Sequence, residues 1–182
     1  TNITQNVFTG VRFELTDRVI TSQVGGHFVD RSNGTFFGAI VELVDENDFP
    51  NYCDLSTGDV LGSETLTFPV LSDEVFGSLR LLLDPGWYAL VFGSGLFGTL
   101  GDGAAPLNNP DIGHPDYIGY QPGPGWLSLS DLSTVFVDQR FVIEGSIVPE
   151  QSSVALLLPA LLAPLLVRRP FKRVLCIPAG VS

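Results

Sequence analysis

Two histidines, two cysteines and a surplus of carboxylates are the residues of this 182-residue chain with the chemistry to act on a substrate. His27 stands beside Gly25-Gly26, and His114 precedes Pro115 in a loop-rich stretch. Nucleophilic catalysis needs a Ser or Cys within hydrogen-bond reach of a base, and the spacing along the chain pairs neither histidine with one. Carboxylates number 20 against nine basic residues; a glycosidase would need two of them facing one scissile bond, but a solvated acidic surface is the simpler role. Cys53 and Cys176 fit neither a metal spacing nor a disulfide framework. Cys53 reads as a structural thiol near an acidic loop.

Oxygen ligands suit Ca²⁺, and two stretches offer them. Asp45-Glu46-Asn47-Asp48 begins like a calcium loop, but Phe49 takes the next ligand position and no glycine follows. Asp102, Asn108, Asn109, Asp111 and Asp116 form the second stretch. Ca²⁺ is therefore the cofactor to consider; no catalytic residue and no metal-ligand set is assigned. Gly93-Ser94-Gly95-Leu96-Phe97-Gly98 matches a dinucleotide fingerprint. The fingerprint needs a helix after it and a βαβ unit around it. Thr99-Leu100-Gly101-Asp102-Gly103 opens no helix, so a glycine-rich loop is expected. Trp87, Tyr88, Tyr117, Tyr120 and Trp126 supply flat rings. Tyr117, Tyr120 and Trp126 lie among glycines and prolines, where exposure is expected, and are the candidate carbohydrate contacts.

The elements that must hold these residues are strands. Gly 20 and Pro 13 disfavour a helical bundle, while 13 Phe and 45% hydrophobic residues disfavour a disordered chain. Alternation over Val7–Leu15 and Arg18–Val24 predicts two strands, with Gly25-Gly26 and Ser32-Asn33-Gly34 as turns. Thr35–Val44 is a deeply buried strand, ending in the acidic loop Asp45–Pro50. Leu61–Leu71, Val75–Leu83 and Trp87–Phe92 follow, the last after the turn Asp84-Pro85-Gly86. A long Gly/Pro/Asn region from Gly93 to Gly125 contains the short run Tyr117–Tyr120, and Thr134–Ile147 closes the body. The fold class is all-β: a two-layer antiparallel β-sandwich, jelly-roll-like, over residues 1–147, plus one C-terminal hydrophobic helix.

Charge divides the chain in two. Residues 1–149 carry 19 carboxylates, five arginines and no lysine; residues 150–182 carry Glu150 against Arg168, Arg169, Lys172 and Arg173. A net charge of −11 excludes a phosphate-backbone binder, so no nucleic-acid partner is expected. Val154–Val167 is a 14-residue run without a polar side chain. As a helix it spans about 21 Å against a hydrocarbon core of ~30 Å, so the uncharged Ser152-Ser153 and a snorkelling Arg168 must extend it. Pro159 and Pro164 kink it. Cations at its end stay cytoplasmic, which places the body outside, and Cys53 and Cys176 then lie on opposite sides of the membrane. The chain opens Thr1-Asn2-Ile3-Thr4 with neither a charged start nor an apolar stretch, as expected of either a processed export signal or a fragment.

Pro149-Glu150, the Leu/Ala span and the Arg-rich end resemble the PEP-CTERM protein-sorting signal, with Gln151 in the place of that motif's second proline. The resemblance covers about residues 148–173, leaves residues 174–182 as a short tail, and touches nothing of the body. It implies a bacterial protein exported to the cell envelope or extracellular matrix, at least transiently membrane-anchored, and recognised by an exosortase-like sorting enzyme. Pro149 and Glu150 are then the sorting motif, and Arg168, Arg169, Lys172 and Arg173 the basic anchor. The function expected is that of a non-enzymatic envelope or matrix protein. The alternative is a carbohydrate-binding module acting on extracellular polysaccharide.

Overall fold

A computed structural model describes residues 1–51, 55, 58–107, 115–132 and 138–149. The chain divides into two compact units, Thr1–Val148 and Pro149–Ser182. The first is all-β. Its elements are β1 (Asn2–Ile3), β2 (Phe8–Leu15), β3 (Val19–Asp30), β4 (Thr35–Leu43), β5 (Val60–Thr67), β6 (Asp73–Ser78), β7 (Leu82–Leu83), β8 (Gly86–Gly93), β9 (Gly103–Ala104), β10 (Asp116–Gln121), β11 (Gly125–Ser128), the single-turn helix α1 (Leu129–Leu132) and β12 (Phe141–Ile147).

The strands form two antiparallel six-stranded sheets. One runs β11-β10-β2-β8-β4-β5; the other is built around β3, with β12, β9, β6 and β7 along it and β1 beyond β9. Long β3 is the spine because its 12 residues reach four partners in succession. Between the sheets lies a core of Val24, Phe28, Phe36, Ile40, Leu66, Tyr88, Leu90 and Phe92. Phe28 packs on Phe36 at 4.6 Å and on Phe92 at 4.9 Å between ring centroids. The arrangement is sandwich-like.

The first sheet also carries a second apolar cluster on its opposite face. Phe8, Phe37, Ala39, Val41, Leu43, Ala89, Val91 and Ile118 are buried there. Phe49 and Leu96, from the connections after β4 and β8, pack against them. Strand geometry sends neighbouring residues to opposite faces, so Phe36 enters one cluster and Phe37 the other. This double burial explains why Thr35–Val44 reads as a continuous apolar run.

Two expectations are corrected. Gly25-Gly26 is mid-strand in β3, not a turn: Gly25 pairs with Phe76 and Gly26 with Val75. A Cβ on Gly25 would sit 2.7 Å from the Phe76 ring, and one on Gly26 would meet the Arg140 carbonyl. These glycines serve close strand approach, which a sequence pattern does not separate from a turn. Val75–Leu83 is two short strands, β6 and β7, and the Gly93–Gly125 region contains β9 and β10. The turn at Ser32–Gly34 is present: Asn33 has φ 53°, and its N–H donates to Asp30 Oδ1 at 2.8 Å. Residues 134–137, the first part of the expected closing strand, lie outside the described residues; β12 begins at Phe141. The expected C-terminal helix also lies outside them, and among the described residues no helix is long and apolar enough to cross a membrane.

Neighbouring Phe36 and Phe37, both 0% exposed, test the two-sided burial. Truncation of either to Ala is expected to cost about 3–5 kcal/mol, read by urea denaturation. A near-neutral Phe37→Ala would show that the outer face is not a second core.

Candidate functional site

The outer face of the first sheet collects the aromatic side chains. Phe8 of β2, Tyr120 of β10 and Trp126 of β11 are cross-strand neighbours, because Tyr120 is in register with both others. Their rings meet at 5.4 Å (Phe8–Tyr120) and 5.5 Å (Tyr120–Trp126). Phe8 continues edge-to-face onto Phe37 of β4 at 5.5 Å, and Phe37 onto Phe97 at 5.1 Å. Gly93, in register with Phe37, makes this row possible: a Cβ there would lie 2.5 Å from the Phe37 ring and collide with Phe8. Five rings thus cross the sheet. Phe8 and Phe37 are buried, Tyr120 and Trp126 half-buried, and Phe97 is 41% exposed.

The three candidate carbohydrate contacts separate. Tyr120 and Trp126 lie together at the β10–β11 end of the row. Tyr117 is corrected: it is 1% exposed, because its place on β10 turns it to the inner side, edge-on to Phe141 at 6.2 Å. Its phenol donates to the Gln139 carbonyl at 2.7 Å, and burial, with help from the Asp138 carboxylate, pushes its pKa up to about 12. Trp87 and Tyr88 divide as strand alternation requires. Tyr88 is in the inner core, donating to the Asp84 carbonyl at 2.7 Å, and Trp87 packs on the outer cluster.

Arg12 is the buried charge of this outer face, and nothing in the sequence pattern singled it out. Its side chain is 7% exposed and pairs with Asp116 Oδ2 at 2.6 Å. It donates to the Asp48 carbonyl at 3.1 Å, and its guanidinium lies 4.8 Å from the Phe49 ring centroid. One residue therefore ties β2 to β10 and to the acidic loop. That loop turns its carboxylates onto its own backbone. Asp45 Oδ1 accepts from Asn47 N–H, Asp48 Oδ2 from Val44 N–H, and Asp48 Oδ1 from Phe49 N–H. The first is an Asx turn, and the other two are local side-chain-to-backbone bonds that hold the loop in the same way. Of the second oxygen-rich stretch, Asp116 is committed to Arg12, and Asn108, Asn109 and Asp111 lie outside the described residues. Among the described residues no group of three His, Cys, Asp or Glu is placed to hold a metal.

The glycine-rich segment after β8 is a loop, as expected. Gly95 N–H donates to the Thr99 carbonyl at 3.1 Å and Thr99 N–H to that of Leu96 at 3.0 Å, while Leu96 and Phe97 cover the outer cluster. Compared with known proteins, the chain matches no family model, no curated protein and no solved structure.

A serine–histidine contact arises that spacing did not disclose. Ser72 Oγ lies 2.8 Å from His27 Nε2, across 45 residues, because β6 pairs with β3. Glu74, in register with His27, is taken by Arg140 at 2.8 Å. Ser72 and Glu74 are exposed, on the face of β3 and β6 turned from the core. Of the other sequence candidates, Pro149 is exposed just after Val148. Glu150, Arg168, Arg169, Lys172, Arg173, Cys53, Cys176 and His114 lie outside the described residues.

Tyr117 gives the inner face a pH dependence. Below about pH 10 its phenol is protonated in folded and unfolded chains alike, and its contribution is complete. Between pH 10 and about 12 the unfolded chain ionises while the folded one resists, so stability falls by up to ~1.4 kcal/mol per pH unit. Denaturation across this range is expected to show the fall, and Tyr117→Phe to lessen it, leaving the part due to Tyr88, whose phenol is also pushed up by burial.

Proposed function

We propose that this chain is an exported, non-enzymatic protein of the cell envelope or extracellular matrix, whose β body is delivered by a C-terminal PEP-CTERM-like sorting signal. One observation supports the reading: every described strand of both sheets lies within Thr1–Val148, and the sorting-like sequence, at about residues 148–173, begins where that unit ends. A signal that is cleaved or handed to a membrane enzyme must be removable without taking a strand from the body. Val148 ends the body in this way, its N–H donating to the Arg18 carbonyl at 2.8 Å. The partners implied are an exosortase-like enzyme and the membrane, with Pro149-Glu150 recognised and Arg168, Arg169, Lys172 and Arg173 holding the cytoplasmic end of a short apolar span. The non-enzymatic part rests on the setting of Ser72 and His27. They lie on an exposed face rather than in a cleft that would exclude water from a reacting group.

Tyr120 and Trp126 favour a second reading, a module that binds extracellular polysaccharide. Half-buried and tilted against each other at 57° at the open end of the aromatic row, they offer rigid flat surface at low entropic cost. Ca²⁺ would enter only through this reading.

The sorting reading is tested by fractionation and by the mass of the mature protein in cells carrying an exosortase. Replacing Pro149 and Glu150 is expected to leave membrane insertion intact and block processing, because neither adds to the apolar span. Replacing the four cations with Gln is expected to disturb orientation or retention. Wild-type protein recovered soluble in the cytoplasm with residues 174–182 attached would refute export. In the same preparations, polysaccharide retention lost on Trp126→Ala would favour the binding module.

A further inference from the structure

The inner faces of the two sheets do not close on each other everywhere. Between β2, β8, β3 and β12 they leave a cleft of about 380 Å³ lined by Val11, Phe13, Val19, Leu90, Phe141 and Ile143, among others. In the rest of the core Val24, Phe28, Phe36 and Phe92 are 0% exposed. Val11, Phe13, Phe141 and Ile143 also face the gap between the sheets, yet they are only half-buried. Ile147, which also lines the cleft, is 64% exposed. The volume is that of a small-molecule site, which in known cases runs from ~300 to ~1,000 Å³.

Hydrogen-bond chemistry selects the occupant. Thr21 is the polar side chain among the described lining residues. Its hydroxyl donates to the Leu79 carbonyl at 2.6 Å and accepts the Leu81 N–H at 2.9 Å. β2 is paired along both edges; β12 pairs with β3 along one edge, and backbone hydrogen-bonding groups lie in the plane of a sheet rather than pointing into the gap between sheets. A sugar needs partners for its hydroxyls, and a peptide for an N–H and a C=O at each residue; this cleft supplies neither. A helix is too wide, at ~10–12 Å with side chains, for a gap between sheets packed ~10 Å apart. A hydrocarbon chain asks for no polar partner. Scaling from the ~150 Å³ apolar cavity that takes one benzene, the cleft holds on the order of ten to fifteen carbons, hence one chain and not the two of a diacyl lipid.

We propose that this cleft binds a single-chain aliphatic amphiphile, a medium-length fatty acid, with its tail between the sheets and its head group in water beside Ile147. The site lies on the opposite face of the first sheet from the aromatic row.

The test titrates dodecanoate, below its micelle concentration, into the full chain by calorimetry. One molecule per chain is expected, with octanoate at least tenfold weaker because it buries four fewer methylenes. Ile143→Trp, which fills the cleft from β12, is expected to weaken dodecanoate binding at least tenfold. Should that variant lose its β circular-dichroism spectrum, Ile147→Asp at the exposed position carries the test, with an expected loss of at least threefold. Vesicles of a diacyl phosphatidylcholine are expected to bind wild type and variants alike. Absence of saturable dodecanoate binding overturns the proposal. So does saturable binding that every folded variant retains, since that places the fatty acid elsewhere on the chain.

Discussion

The β11-β10-β2-β8-β4-β5 sheet must hide apolar side chains on both of its faces. An antiparallel sheet in a two-layer fold usually gives one face to the core and the other to water. Here Phe36, Ile40, Leu90 and Phe92 fill one side while Phe37, Ala39, Val41, Ala89 and Val91 fill the other. The second sheet covers only the first set. The rest fall to connecting segments, so the acidic loop after β4 and the glycine-rich loop after β8 act as structural covers. Arg12 is how one cover is fastened: a buried guanidinium must be paired, and its partners are Asp116 on β10 and the Asp48 carbonyl in the loop. Residues with the look of a calcium loop and a nucleotide loop are accounted for by this duty.

The same constraint sets where recognition surfaces remain. Rings on the outer face are consumed from the centre outward, with Phe8 and Phe37 buried and Tyr120 and Trp126 left half-buried at the β10–β11 end. On the inner face the sheets meet tightly around Phe28, Phe36 and Phe92 and part around Phe13, Phe141 and Ile143, which leaves the apolar cleft. One face thus ends in flat amphipathic rings and the other in an apolar gap. They suit chemically different ligands.

Strands with regular alternation, such as β2, and dense apolar runs, such as β4 and β8, were legible in the sequence because side-chain period and burial write directly into residue type. The turn at Asn33 was legible for the same local reason. Gly25-Gly26 misled because glycine marks a turn and a close strand approach identically, and only the partner strand, with Phe76 and the Arg140 carbonyl against it, separates the two. Tyr117 misled because glycine and proline neighbours signal a loop, while its burial depends on pairing with β2 a hundred residues earlier. Ser72 beside His27, and Arg12 beside Asp116, are equally non-local; each requires the strand register before its spacing has meaning.

Completeness of the body without its tail is the claim on which the functional reading stands. It is tested most directly by producing residues 1–149 alone and comparing their urea denaturation with that of the full chain. The account predicts a β-rich, soluble, cooperatively unfolding body whose midpoint matches that of the full chain, since both sheets and both cores lie within Thr1–Val148. A truncated chain that is unfolded, or that has lost cooperative unfolding, would contradict it and make the C-terminal segment part of the core.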